Sequence, residues 1–115
     1  MSDSITERSV GDVTILDIAG RITLGEEADS LRGIIRELEK QGRNKVILNL
    51  AETFYVDSSG VGEIVSGFMR ITTIRGGQLK LLALQKRVQD MLQYTKLYTV
   101  FEVFDDEDAA IRSFQ

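Results

Sequence analysis

At 115 residues, 43% hydrophobic and 28% charged, the chain has the size and composition of one soluble globular domain covering residues 1–115. It carries no cysteine and no histidine, which excludes disulfides, thiolate nucleophiles and Cys-ligated metals and removes the usual base near neutral pH; neither an enzyme nor a metal or other cofactor is expected. The formal net charge of -4, with Lys and Arg scattered among acids, argues against a nucleic-acid surface and for a protein partner.

Residues 1–8 lack a basic region followed by an apolar one, and no run approaches the ~18 apolar residues of a membrane span, so no secretory leader, no membrane contact and a cytoplasmic location are expected. Gly11-Asp12 is a turn signal between two β-prone runs, 5–8 and 13–18, and predicts an opening hairpin. Gly20-Arg21-Ile22-Thr23-Leu24-Gly25 reads as a loop. Ala28, Leu31, Ile35 and Leu38 then recur at intervals of three and four, with Glu26, Glu27 and Asp29 near the start and Lys40 near the end. This is an amphipathic helix that Gly42 ends.

Residues 45–50 form a short, continuously apolar strand, the pattern of a central strand buried on both faces of a parallel sheet. From Ser59 onward Val61, Ile64, Val65, Phe68, Ile71 and Ile74 keep helical spacing until Gly76-Gly77. The opposite face, Ser59, Glu63, Ser66, Gly67 and Arg70, is mostly small or polar and would let another surface approach the helix backbone. Residues 78–84 return to strand, and 85–94 form a short helix with Val88, Met91 and Leu92 inward. Residues 99–104 are the last strand, and the acids of 105–108 open a closing helix with Ala110, Ile111 and Phe114 on one face. The sum is a single α/β domain, β-β-α-β-α-β-α-β-α, with an N-terminal hairpin, a mostly parallel sheet and right-handed crossovers.

The junction Val56-Asp57-Ser58-Ser59-Gly60, where apolar strand gives way to helix, is the site candidate. Two readings stay open there: Asp and Ser serve as helix N-caps, or the Ser58 hydroxyl is held at a helix N-terminus, ready for modification. Serine catalysis needs a base, and without histidine none stands at a recognisable spacing. Gly60-Val61-Gly62 opens like a dinucleotide fingerprint, yet Val65 occupies the place of the third glycine and no Gly-Lys-Ser/Thr follows. The acidic run 105–108 lacks calcium-loop spacing and reads as a solvated helix cap. Arg32, Arg36, Lys40, Arg43 and Lys45 interleave with Glu37 and Glu39, as ordinary helix-surface pairs do.

Leu48-Asn49-Leu50 followed by Phe54-Tyr55-Val56-Asp57-Ser58-Ser59-Gly60-Val61-Gly62 resembles the signature of the STAS domain, specifically the stand-alone bacterial anti-sigma factor antagonists. The likeness extends over nearly the whole chain, including Gly20-Arg21-Ile22 and the closing helix, and departs at Thr95-Lys96-Leu97, where relatives commonly carry a central glycine. The resemblance implies that Ser58 is phosphorylated by an anti-sigma factor that is also an ATP-dependent serine kinase, and dephosphorylated by a PP2C-type phosphatase. The unmodified form would sequester the anti-sigma factor and so release a sigma factor. It implies a partner-binding face of Asp57, Ser58, Ser59, Gly60, Gly62, Glu63, Ser66 and Gly67, with Gly20, Arg21 and Thr23 beside it. The rival expectation is a STAS scaffold or transporter-associated module that binds proteins without being phosphorylated.

Overall fold

The computed structural model describes residues 4–114, apart from the Leu97 side chain; the N-terminal stretch read as leaderless begins outside this range. Gly11 at φ +61° makes the turn that folds β1 (Ile5–Val10) antiparallel onto β2 (Val13–Ile22), with Val10 opposite Val13. From there the pairing is parallel: β2 with β3 (Lys45–Val56), β3 with β4 (Gln78–Leu82), and β4 with the two-residue β5 (Val103–Phe104). The five strands stand in chain order. Helices α1 (Glu26–Lys40), α2 (Ser58–Thr72) and α3 (Lys86–Gln93) make the crossovers, and right-handedness puts all three on one face of the sheet. The short α4 (Glu107–Arg112) covers the other.

Two apolar clusters follow from that layering. The larger joins Leu16, Ile18, Val46, Leu48, Leu79 and Leu81 of the sheet to Leu31, Ile35, Leu38, Val61, Ile64, Ile71, Val88 and Leu92 of the three helices. The smaller sits under α4 and consists of Val13, Ile15, Ile47, Leu82, Ala110 and Phe114. The continuous apolarity of β3 is thereby explained, since Ile47 belongs to one cluster and its neighbours Val46 and Leu48 to the other.

The expected β-β-α-β-α-β-α-β-α order is present, with corrections to its bounds. The segment from Gly20 is not all loop: β2 continues to Ile22, leaving only residues 23–25. Likewise β3 does not stop at Leu50 but runs to Val56. Their shared extension carries register shifts between Asp17 and Ala19 and between Gly20 and Arg21, and these irregularities break the alternation that marks a strand in sequence. Thr53 is fully buried within it, donating its hydroxyl to the Ile18 carbonyl at 2.7 Å. The last strand is shorter than residues 99–104: a 3-10 turn occupies Lys96–Val100, and only Val103 and Phe104 pair with β4. Strand β4 ends at Leu82 because Ala83 turns the chain at φ +61°.

Candidate functional site

The extension of β3 delivers Val56 into the main core and places Asp57 at the N-cap of α2, with extended backbone angles. Its carboxylate accepts the Gly60 N–H at 2.8 Å on one oxygen and the Leu24 N–H at 3.0 Å on the other. One side chain therefore satisfies an orphan donor of α2 and ties the β2–α1 loop to it. The Leu24 amide, and next the Gly60 amide, hold the Asp57 carboxyl below the usual carboxylate range.

Capping by Asp57 leaves Ser58 free of that task. Ser58 is the first residue of α2, is exposed, and its hydroxyl makes no hydrogen bond among the described residues. Of the two readings of this junction, the cap thus falls to Asp57 and the accessible hydroxyl to Ser58.

Gly60 lies against the end of β2. A Cβ built there would stand 2.1 Å from the Ile22 carbonyl oxygen, so glycine is what allows the first turn of α2 to pack on that strand. Gly62, on the next turn of surface, has open space around it and is exposed.

The small and polar stripe of α2 is placed differently from its expected role as an approach surface. Gly67 is buried, and a Cβ there would lie 3.4 Å from Ile35 of α1. Arg32 reaches Glu63 at 3.2 Å, and Arg70 reaches Glu39 at 2.9 Å. Glu63, Gly67 and Arg70 thus form the α1–α2 seam, because close helix packing needs small residues just as a docking partner does. Gly60 and Gly67 are removed from any exposed contact surface. Ser59 and Ser66 are half-buried. Near the end of β2, Gly20 is half-buried at φ +91°, Arg21 is exposed and stacks over Phe54 at 5.6 Å, and Thr23 donates to Glu27 at 3.1 Å.

The outward ridge of α2 is instead Ser58, Gly62, Val65, Ser66 and Met69, with a groove on each flank. One, of about 390 Å³ and mostly apolar, runs between α2 and the end of α3, lined by Ser58, Val61, Gly62, Val65, Met91 and Tyr94. The other, of about 460 Å³, passes Gly62, Ser66 and Met69 toward Glu39 and Arg70. Three large apolar side chains stand out in water around this region: Tyr94 at 86%, Leu24 at 79% and Met69 at 59% exposure. Leu24 falls in the 20–24 loop expected beside the docking face, whereas Met69 and Tyr94 are not marked by sequence reasoning. Tyr94 offered a signal, since it falls off the Val88 and Leu92 stripe that α3 buries. Among the described residues no cluster of acidic side chains is placed to hold a metal, and no helix is long and apolar enough to cross a membrane.

The family model for the STAS domain matches residues 4–110. The chain belongs to the STAS domain family. This STAS domain is 26% identical over 106 residues to a candidate anti-sigma factor antagonist of Thermotoga neapolitana, across 92% of this chain and 93% of that protein. In structure it is similar to a candidate anti-sigma factor antagonist of Thermotoga maritima, with a TM-score of 0.87 at 24% identity, covering 98% and 96% of the two chains. It shares its fold with the Bacillus cell fate determinant SpoIIAA in the phosphorylated form, with a TM-score of 0.78 at 19% identity over 96% and 99% of the chains; SpoIIAA is described in its unphosphorylated form as an anti-sigma factor antagonist. The β-β-α-β-α-β-α-β-α order with its N-terminal hairpin and mostly parallel sheet, expected from the sequence, is the fold shared with SpoIIAA.

Proposed function

We propose that this STAS domain is an anti-sigma factor antagonist, one that binds an anti-sigma factor with serine kinase activity while Ser58 is unmodified and is released when Ser58 is phosphorylated. The observation that carries the reading is the Ser58 hydroxyl, exposed and uncommitted at the start of a helix whose cap is supplied by its neighbour Asp57. The relatives described as anti-sigma factor antagonists, one of them solved in a phosphorylated form, support it.

In this reading the kinase transfers the γ-phosphoryl group of ATP to the Ser58 oxygen, ADP leaves, and a PP2C-type phosphatase later hydrolyses the ester. The ATP site is the kinase's, and this chain is substrate and ligand. Partner contact falls on Asp57, Ser58, Ser59, Gly62 and Ser66, joined by the exposed Leu24, Met69 and Tyr94, with Gly20, Arg21 and Thr23 alongside. Gly60, Glu63 and Gly67 act from behind by shaping the helix that presents them. A phosphate adds about -1.5 to -2 charges at a helix N-terminus, which favours anions, so the fold tolerates it while a surface fitted to a neutral hydroxyl does not.

The test is intact mass after incubation with an anti-sigma factor kinase and ATP, beside the Ser58→Ala variant. A gain of one phosphate in the parent and none in the variant is expected. A parent that binds the kinase stably but gains no phosphate would transfer the reading to a STAS scaffold.

A further inference from the structure

We propose that α4 is a releasable strap on the back of the sheet, fastened by Arg8 at its first turn and Lys80 at its last, which opens while the rest of the domain stays folded.

The fastening is polar at both ends. The Arg8 guanidinium donates to both oxygens of Glu107, at 2.6 and 2.9 Å, and also to both oxygens of Asp17, at 2.6 and 3.1 Å. Asn49 fixes Asp17 from β3 at 2.7 Å. At the other end the Lys80 ammonium, on β4, donates to the Ser113 carbonyl at 3.1 Å and the Ser113 hydroxyl at 2.7 Å. It lies 4.4 Å from the centre of the Phe114 ring. The apolar contribution is small: Ala110 of α4 and Phe114 just after it are buried in the smaller cluster, with Ile111 partly buried against it.

Three features make opening local. Six residues of helix have no stability apart from what they pack against, so release and unfolding of α4 are one event. The strands beneath keep the larger cluster on their other face, so losing the strap leaves the core of the three crossover helices intact. Lys80 is 2% exposed, with Glu102 at 3.3 Å as its ion partner; opening returns its ammonium to water and recovers hydration that the closed state forgoes. Opening uncovers Val13, Ile15, Ile47 and Leu82, an apolar strip on the face of the sheet opposite α2.

Native-state hydrogen exchange on the full chain tests this. The bonded α4 amides of Ala110, Ser113 and Phe114 are to be compared with those of Ile47 and Leu48 in β3, at several urea concentrations below unfolding. The α4 amides are expected to exchange at least about tenfold faster, with little urea dependence, as a sub-global opening does. Arg8→Met keeps the apolar stem and removes the fork. It is expected to accelerate the α4 amides further with their urea dependence still small, whereas Ile47 and Leu48 stay slower and keep the steep urea dependence of global unfolding. If α4 and β3 amides converge on one rate and one urea slope in both proteins, α4 opens only with the whole domain and the strap does not exist.

Discussion

The Asp57 carboxylate accepts the backbone amide of Leu24, 33 positions earlier in the chain, at 3.0 Å while capping α2 through Gly60. One residue thereby sets the distance between the loop after β2 and the helix that carries Ser58. Asp57→Ala is expected to cost about 1–2 kcal/mol, the loss of an N-cap with an added tether, whereas Asp57→Asn keeps one acceptor and costs less. Urea unfolding at neutral pH gives both values. Equal stability of the alanine variant and the parent would mean that the cap and tether contribute nothing.

At Ser58 the question is charge against contact. Ser58→Asp is expected to fold as the parent does and to lose an anti-sigma factor partner by several kcal/mol, because a desolvated charge faces a surface made for a hydroxyl. Ser58→Ala is expected to bind and to resist switching. Tyr94→Ala, at the rim of the α2–α3 groove, is expected to weaken binding with little change in stability, since the ring is 86% exposed in the free protein. Calorimetric titration with a purified partner separates the three. Parent-like affinity of the aspartate variant would show that charge exclusion is not the mechanism.

Gly60 and Gly62 differ by two positions and by their surroundings. Gly60→Ala drives a Cβ into the Ile22 carbonyl and is expected to destabilise by about 3 kcal/mol or more, or to shift α2 off β2. Gly62→Ala meets open space in a helix interior and is expected to be neutral or to stabilise by up to about 1 kcal/mol. Thermal unfolding of the pair is the measurement. Comparable losses at both positions would contradict the packing assigned to Gly60.

Those two glycines also show where the sequence was legible and where it was not. The fold order, the buried helix faces and the junction at Asp57-Ser58 follow from periodicity and capping chemistry, which are local. Whether a small residue on α2 faces water or packs inside is decided by neighbours that the sequence of α2 does not contain, the Ile22 carbonyl at Gly60 and Ile35 at Gly67. The same holds for Glu63 and Arg70, whose partners Arg32 and Glu39 lie on the preceding helix. The strand reading stops at Leu50, short of residues 51–56, because register shifts against β2 break the alternation there. The edge pairing of β5 is too short to leave a pattern at all.

The Arg8 fork makes acid stability depend on one cation. Arg8 is the first cause that holds Asp17 and Glu107 below their ordinary carboxylate values, with Asn49 assisting at Asp17. In the unfolded chain these carboxyls titrate near their usual values, about 4. Above that pH both states are ionised and the stabilisation is fully present. As pH falls past it the unfolded state takes up protons first, so stability declines until the native carboxyls protonate in turn. Both carboxylates are about one-third exposed, which reduces the effect by solvent screening. Asp57 and Asp12 are also held low, by the Leu24 amide and by Lys45 respectively, and they contribute an acid loss of the same sign. Removing Arg8 leaves those two untouched, so the difference between the Arg8→Met variant and the parent isolates the fork. Urea midpoints measured from pH 7 down to about 3 are therefore expected to fall more steeply for the parent, the two curves converging at the acid end. Parallel curves would show that Arg8 binds its two carboxylates without stabilising their ionised forms.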